Sequence, residues 1–290
     1  MNQLKNQIQK PNQMSLIFKA KDHSYTSIDP NDKTEWISVT TLISKFKHKF
    51  DAEAQAIKSA KNKRSKWYGM KPEDIIAAWN GESNRSTTLG SWYHNQREED
   101  LNSLDTITRD GVALQVVQPI ILDNIKQAPD QQLVPGIYPE HFMYLKSAGI
   151  CGQADRVEVV NGKVNIYDYK TNKEIKTHGF KNWEGIVERM LPPLRHLDNC
   201  NLIHYTLQMS IYLYMILRHN ANLEPGTLSL DHVIFEEEGK DKNGYPIHKL
   251  ENGEPVVKEV KTLNVPYMKS EVIAVIDWLK ENRDKLKSKR

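Results

Sequence analysis

The chain has 290 residues, 39% of them hydrophobic and 27% charged, which fits a folded globular protein with a substantial core rather than a disordered chain. Forty Lys and Arg stand against 37 Asp and Glu, a net charge of +3, too weak to mark a polyanion binder by bulk charge, so any such site must come from local clustering. No apolar run approaches the ~20 residues of a membrane helix, the first ten residues lack a signal peptide's apolar stretch, and Cys151 and Cys200 alone cannot form a four-cysteine zinc or iron–sulfur site.

In chain order, residues 1–14 are rich in Asn, Gln and Lys and predict a disordered start. Leu16-Ile17-Phe18 and Tyr25-Thr26-Ser27-Ile28 read as short strands, and Trp36–Thr40 leads into a helix near Thr41–Phe46. A basic helix is expected over Ala52–Trp67 and another over Pro72–Asn80, with Pro near its first turn. Thr88-Leu89-Gly90-Ser91 opens a helix through about Asp100, and Val112–Lys126 reads as helix apart from Pro119. Ile137–Glu140 reads as a strand end, followed by Phe142–Leu145. Helices are expected again over Trp183–Met190 and, strongly, over Asn201–His219. Val233–Phe235 and Val256–Val260 read as strands around a Gly- and Lys-rich turn, before a final amphipathic helix from Lys269 to about Lys285. The pattern predicts an α/β fold: a small central mixed β-sheet flanked by helices, with an N-terminal helical elaboration. One domain is expected over residues 15–290, divided into 15–87, 88–215 and 216–290, with no repeat and no clear linker.

Asn161-Gly162 lies between two β-branched runs, the strongest short-range hairpin signal, because both residues accept φ > 0 in a type I′ turn. A two-residue loop makes Val160 face Lys163 and therefore sets Asp155 opposite Asp168. Lys170, two residues on, points to the same face as Asp168. Two carboxylates side by side repel, and a divalent cation resolves the conflict. Mg²⁺ and Mn²⁺ take oxygen ligands, which Asp155, Asp168 and the backbone carbonyl of Tyr169 offer. Lys170 then orients or deprotonates a water, or stabilises charge on a phosphate. Taken alone, either acidic residue also fits an ordinary exposed hairpin.

Two basic clusters stand out. Lys58, Lys61, Lys63, Arg64 and Lys66 precede Trp67-Tyr68, mixing phosphate-seeking cations with stacking rings; this reads equally as a nucleic-acid contact or a solvated helix face. The tail, with Lys280, Arg283, Lys285, Lys287, Lys289 and Arg290, reads as a solvated face.

Gly152-x-x-Asp155, Asp168-x-Lys170-Thr171 and Tyr205-x-x-Gln208-x-x-x-Tyr212, preceded by Gly90-x-x-x-His94, together resemble the RecB-type branch of the PD-(D/E)XK nuclease superfamily. The likeness covers roughly residues 88–215. The Ile37-Ser38-Val39-Thr40-Thr41 segment is similar to the start of phage and mitochondrial genome-maintenance exonucleases of that branch. Ala154 stands where the family motif often has Pro. The resemblance implies a restriction-endonuclease-like core with metal bound by Asp155 and Asp168 and a catalytic Lys170. It also implies that Gln208 orients the lysine or the water and that His94 reaches the metal from a helix. Glu140 reads equally as a further ligand or as a strand-end carboxylate. Thr171 and Tyr205 are expected to contact nucleic acid.

The implied activity is a Mg²⁺- or Mn²⁺-dependent DNA nuclease, an exonuclease, without an iron–sulfur cluster. The expected partners are DNA single strands or duplex ends and replication or recombination proteins, but no membrane. The expected compartment is the cytoplasm of a bacterium or phage-infected host. An endonuclease on RNA or branched DNA, or a non-catalytic nucleic-acid-binding module on the same fold, remains an alternative.

Overall fold

The computed structural model describes residues 16–19, 24–123, 125–182 and 184–287. Residues 1–14, expected to be disordered, lie outside the described residues, as do Trp183, Lys289 and Arg290 of the readings above. The chain begins with strands β1 (Leu16–Lys19), β2 (Ser24–Ser27) and β3 (Ile37–Ser38). Helices α1 (Val39–Ser44), α2 (Ala52–Lys61) and α3 (Pro72–Asn102) follow. Then come β4 (Thr106–Arg109), β5 (Val112–Gln115), β6 (Ile121–Leu122), β7 (Ile125–Gln127), β8 (Gly136–Leu145), β9 (Ile150–Val160) and β10 (Lys163–Lys170). After α4 (Asn201–His219), the strands are β11 (Glu224–Phe235), β12 (Glu237–Lys240), β13 (Pro246–His248), β14 (Leu250–Glu251), β15 (Glu254–Pro255) and β16 (Val257–Val265). Helix α5 (Lys269–Lys287) ends the described chain.

The architecture is α/β, built on a mixed sheet in the order β16-β11-β10-β9-β3, with β8 also paired to β9. The β10–β11 and β3–β9 pairs are parallel and the others antiparallel. Val157, Val159, Val164 and Ile166 of β9 and β10 share one core with Leu207, Ile211 and Leu213 of α4 and Val272, Val275 and Leu279 of α5. That core reaches back to Val39 and Leu42 of α1, so residues from α1 to α5 fold around one interior. On the opposite face Tyr93 of α3 packs with Tyr169, Val233 and Phe235. No helix among the described residues is long and apolar enough to cross a membrane.

The Asn161-Gly162 turn has φ 50° and 74°, and β9 and β10 pair as Lys163↔Val160 through Tyr167↔Arg156. The ladder stops one step before Asp155 and Asp168, which the register places opposite each other.

Five expectations need correction. The helix read over Val112–Lys126 is instead β5, β6 and β7, because Asp110-Gly111 (φ 48° and 77°) turns β4 into β5 by the same Asp-Gly hairpin chemistry. Residues 184–190 form turns and isolated bridges rather than a helix; Gly185 has φ 84°. The helices expected over Pro72–Asn80 and from Thr88 are one 31-residue helix, α3, since packing overrides the roughly 1 kcal/mol cost of a mid-helix Gly81. The basic helix stops at Lys61, capped at its start by Asp51, whose side chain accepts from Ala54 N. In the tail, Arg283 is not merely solvated, because it donates to the Glu35 and Ala148 carbonyls.

Candidate functional site

β9 holds β8 along one edge from Ile150 to Val159. On its other edge it pairs with β3 at Ile150 and Cys151 and with β10 only from Arg156 onward. Between these partners the sheet is split, and Gly152 to Asp155 border the gap. Tyr212 of α4 fills part of it: a Cβ on Gly152 would stand 2.6 Å from Tyr212 Cε1, so glycine here admits the ring. Across the gap Tyr169 N donates to Asp155 Oδ2 at 2.5 Å.

Three carboxylates lie in line across three strands. β8 and β9 pair as Pro139↔Arg156 and His141↔Ala154, which sets Glu140 opposite Asp155, itself opposite Asp168. Glu140 has φ 43°, a left-handed conformation rare for a residue other than glycine and of the kind concentrated at functional sites. His94, from the second half of α3, places Nδ1 3.2 Å from Asp155 Oδ1 and 3.9 Å from Glu140 Oε1. Ligand atoms of His94, Glu140 and Asp155 all fall within 4.8 Å of one another. One turn beyond His94, Glu98 pairs with Lys126 at 3.2 Å.

Asp168, 1% exposed, faces Lys170, whose Nζ is 2.6 Å from Asp168 Oδ2. The Lys170 ammonium thus serves Oδ2, while Asp168 Oδ1 has no hydrogen-bond partner among the described residues. Buried carboxylate oxygens normally find donors. A hard cation would supply such a partner, and the donor set is of the kind that fits Mg²⁺ or Mn²⁺, with His94 favouring the softer Mn²⁺. Lys170 Nζ also lies over the Tyr205 ring, 4.9 Å from its centroid, and Tyr205 Oη donates to Asn172 Oδ1 at 2.6 Å.

The expected residues divide on inspection. Asp155, Asp168, Lys170, His94 and Glu140 come together, with Tyr205 against Lys170. Gln208 donates to Tyr212 Oη at 3.1 Å rather than to Lys170, so its place is beside the ring that fills part of the gap. Tyr169 contributes its amide N–H to Asp155. Thr171 lies against α3, where a Cβ on Gly90 would be 3.2 Å from its Oγ1. Trp67, expected to stack on bases, is 7% exposed and buried with Ala56 and Ile75. Lys66 is drawn onto the Trp67 and Tyr245 rings. Lys58, Lys61, Arg64 and Tyr68 are exposed. Asn172 was missed; its position just past Lys170 was the only signal.

The charges are mutually dependent. Burial works against the His94 imidazolium, but the Asp155 carboxylate outweighs it by charge and hydrogen bond, raising the pKa to about 10. Burial raises the Asp168 carboxyl to about 6, with Lys170 opposing and Asp155 adding to the rise. Burial pulls Lys170 down, yet Asp168 and Asp155 hold it above its usual value. Burial alone would raise Asp155, and the His94 charge lowers it below the usual carboxylate range.

A cation at this site would need His94 neutral and Asp155, Asp168 and Glu140 ionised, and burial raises the Glu140 carboxyl as well. Because the metal-free His94 keeps its proton up to about pH 10, Mn²⁺ uptake at about pH 8 is expected to release close to one proton. Below about pH 6 Asp168 adds a second, so affinity climbs with rising pH through both values. Calorimetric titration in buffers of differing ionisation heat measures the release, and a buffer-independent heat at pH 8 would contradict His94 as a ligand. Comparisons of the chain with protein-family models, curated proteins and solved structures find no match.

Proposed function

We propose that this chain is a Mg²⁺- or Mn²⁺-dependent deoxyribonuclease of the RecB-type PD-(D/E)XK kind, acting as an exonuclease. The observation that carries the reading is the row Glu140, Asp155 and Asp168 across the split sheet, with Lys170 against a buried Asp168 whose Oδ1 has no partner among the described residues. A structural ion pair accounts for Asp168 with Lys170, but not for two further carboxylates and a histidine converging beside it.

Asp155, Asp168 and Glu140, with His94, would hold the cation. When bound, the metal supplies charge that lowers the pKa of water and shields the attacked phosphate. In hydrolysis the oxygen of a water molecule bonds to phosphorus as the bond to the leaving sugar oxygen breaks, and that oxygen takes up a proton. Lys170, held as a cation by Asp168, is suited to offset the charge that grows on the phosphate oxygens. The Tyr205 ring under Lys170 and the Tyr205–Asn172 hydrogen bond limit where the ammonium can swing. Tyr212, held by Gln208 and packed on the Gly152 backbone, fills part of the gap beside these residues.

End-labelled linear DNA and covalently closed circular DNA, each with Mn²⁺ or with EDTA, test the assignment. Hydrolysis of the linear form in Mn²⁺ alone is expected, with the circle intact. Cleavage of the circle would move the reading to an endonuclease, and no hydrolysis of either form would overturn it.

A further inference from the structure

The formal charge is distributed unevenly along the chain. Residues 45–71 hold nine Lys and Arg against only Asp51 and Glu53, a net +7 within a chain of net +3, which leaves −4 for all the rest. Asp51 is committed to capping α2. Among the described residues no acidic side chain pairs with Lys58, Lys61, Lys63 or Arg64, and all four are exposed. A structural role would be expected to neutralise such a cluster, as the Arg85–Glu82 and Arg85–Asp241 pairs do nearby.

A row of rings runs through the same part of the fold, with Lys66 over two of its members, Trp67 and Tyr245. Phe50 meets Trp79 at 5.8 Å between centroids, Trp79 meets Trp67 at 6.4 Å and Trp67 meets Tyr245 at 6.3 Å. The middle of the row is core, but Phe50 is 70% exposed and Tyr68 53% exposed. The two solvent-facing rings thus lie in the same short stretch as the unpaired cations.

The strip also has a direction. Its first residues lie beside α4, the helix that carries Tyr205: Phe46 shares a buried cluster with Leu207 and Ile211, and Tyr205 packs against the same cluster. Burial, with the Lys47 charge adding, holds the His204 imidazole at about 4. His204 directly precedes Tyr205, whose ring lies under Lys170. The far part of the strip rests on the start of α3, where Ala56 and Trp67 pack on Ile75. From Ile75 to His94 the helix rises roughly 28 Å.

We infer that residues 45–71 form a track for single-stranded DNA leading from the metal site to a holding surface at Lys58, Lys61, Arg64, Phe50 and Tyr68. The inference rests on the nuclease reading and names its substrate form. Cations every few residues suit a phosphate backbone, and exposed rings suit unpaired bases, whose faces a duplex keeps stacked. At the 3.4 Å per nucleotide of a stacked strand, roughly eight nucleotides span the 28 Å, and fewer do so when extended.

Fluorescence anisotropy with Ca²⁺ in place of Mn²⁺ measures binding, while gel assays with Mn²⁺ measure cleavage separately. Wild type is expected to bind an oligonucleotide of about 20 nucleotides far more tightly than one of about 5, which cannot reach the far surface. The triple variant Lys58→Glu, Lys61→Glu, Arg64→Glu is expected to weaken the longer oligonucleotide at least tenfold. It should also flatten the length dependence and reduce the salt slope by about 2. Phe50→Ala with Tyr68→Ala should weaken it about tenfold without changing that slope. Circular dichroism melting confirms that each variant is folded.

A triple variant with the wild-type ratio of long to short affinity would overturn the track. So would equal binding of a 20-base-pair duplex that ignores Phe50 and Tyr68, or patch-dependent binding to phosphatidylserine vesicles but not to oligonucleotides. If wild type binds in this patch-dependent way yet never cleaves, the nuclease reading fails and the track stands. If it cleaves but binding ignores the patch, the reverse holds.

Discussion

Lys170→Ala is expected to lower Mn²⁺-dependent DNA hydrolysis by about 10²–10⁴-fold, the range for losing a positioned charge or proton-transfer group. The geometry supports a loss this large. Lys170 is the cation paired with Asp168 at 2.6 Å, and the Tyr205 ring fixes its approach. Removing the ammonium also takes away the opposite charge nearest the buried Asp168, which raises its carboxyl further. At neutral pH the variant should therefore bind Mn²⁺ more weakly than wild type, and recover most of that binding at higher pH, where Asp168 ionises. Activity should not recover in parallel, because the missing charge acts on the phosphate. Assays at a fixed pH near 9 with saturating Mn²⁺ separate the two effects. Wild-type rates there would remove Lys170 from the chemistry and leave it a partner of Asp168 alone.

Asp155→Asn is expected to remove the metal response altogether. Wild type in Mn²⁺ at about a hundred times its Kd gains about 2.7 kcal/mol, worth about 5 °C in melting temperature for a chain of this size. Asparagine keeps an oxygen to accept the Tyr169 amide now bound by Asp155, so the local fold is retained. It lacks the charge that holds the His94 proton and that a cation requires at the centre of the row. Differential scanning fluorimetry with and without Mn²⁺ should show the shift in wild type and none in the variant. NMR titration should show the His94 pKa falling well below about 10, since burial loses its main opponent and Glu140 remains to hold the proton. A variant that melts higher in Mn²⁺ by the wild-type margin would place the metal elsewhere.

The hairpin was legible because its turn is chemically explicit. Only residues tolerant of φ > 0 fit a type I′ turn, and fixing that turn fixes every pair beyond it. The α4 boundaries were equally legible, since Asn201–His219 is apolar around most of its circumference and nine of its residues are buried. The same turn logic was available at Asp110-Gly111, but the apolar run from Val112 to Leu122 fits helical periodicity as well as strand, an ambiguity that sequence cannot break for short runs. The length of α3 was not legible either, because Gly81 and the polar stretch after it argue locally for a break that packing overrides.

By itself, then, the sequence determined the register that aligns Asp155, Asp168 and Lys170, because backbone sterics at two turn residues act locally. It also determined the concentration of positive charge between residues 45 and 71. Tertiary structure decided the rest. Glu140 joined the row through the pairing of β8 with β9 and a left-handed backbone conformation. Tertiary packing brought His94 to Asp155 through one unbroken helix, and withdrew Trp67 into the core while leaving Phe50 and Tyr68 outside. It also opened the sheet between β3 and β10, where the carboxylates meet. Contacts of that kind depend on which distant segments pack together, and local residue preferences carry no term for it.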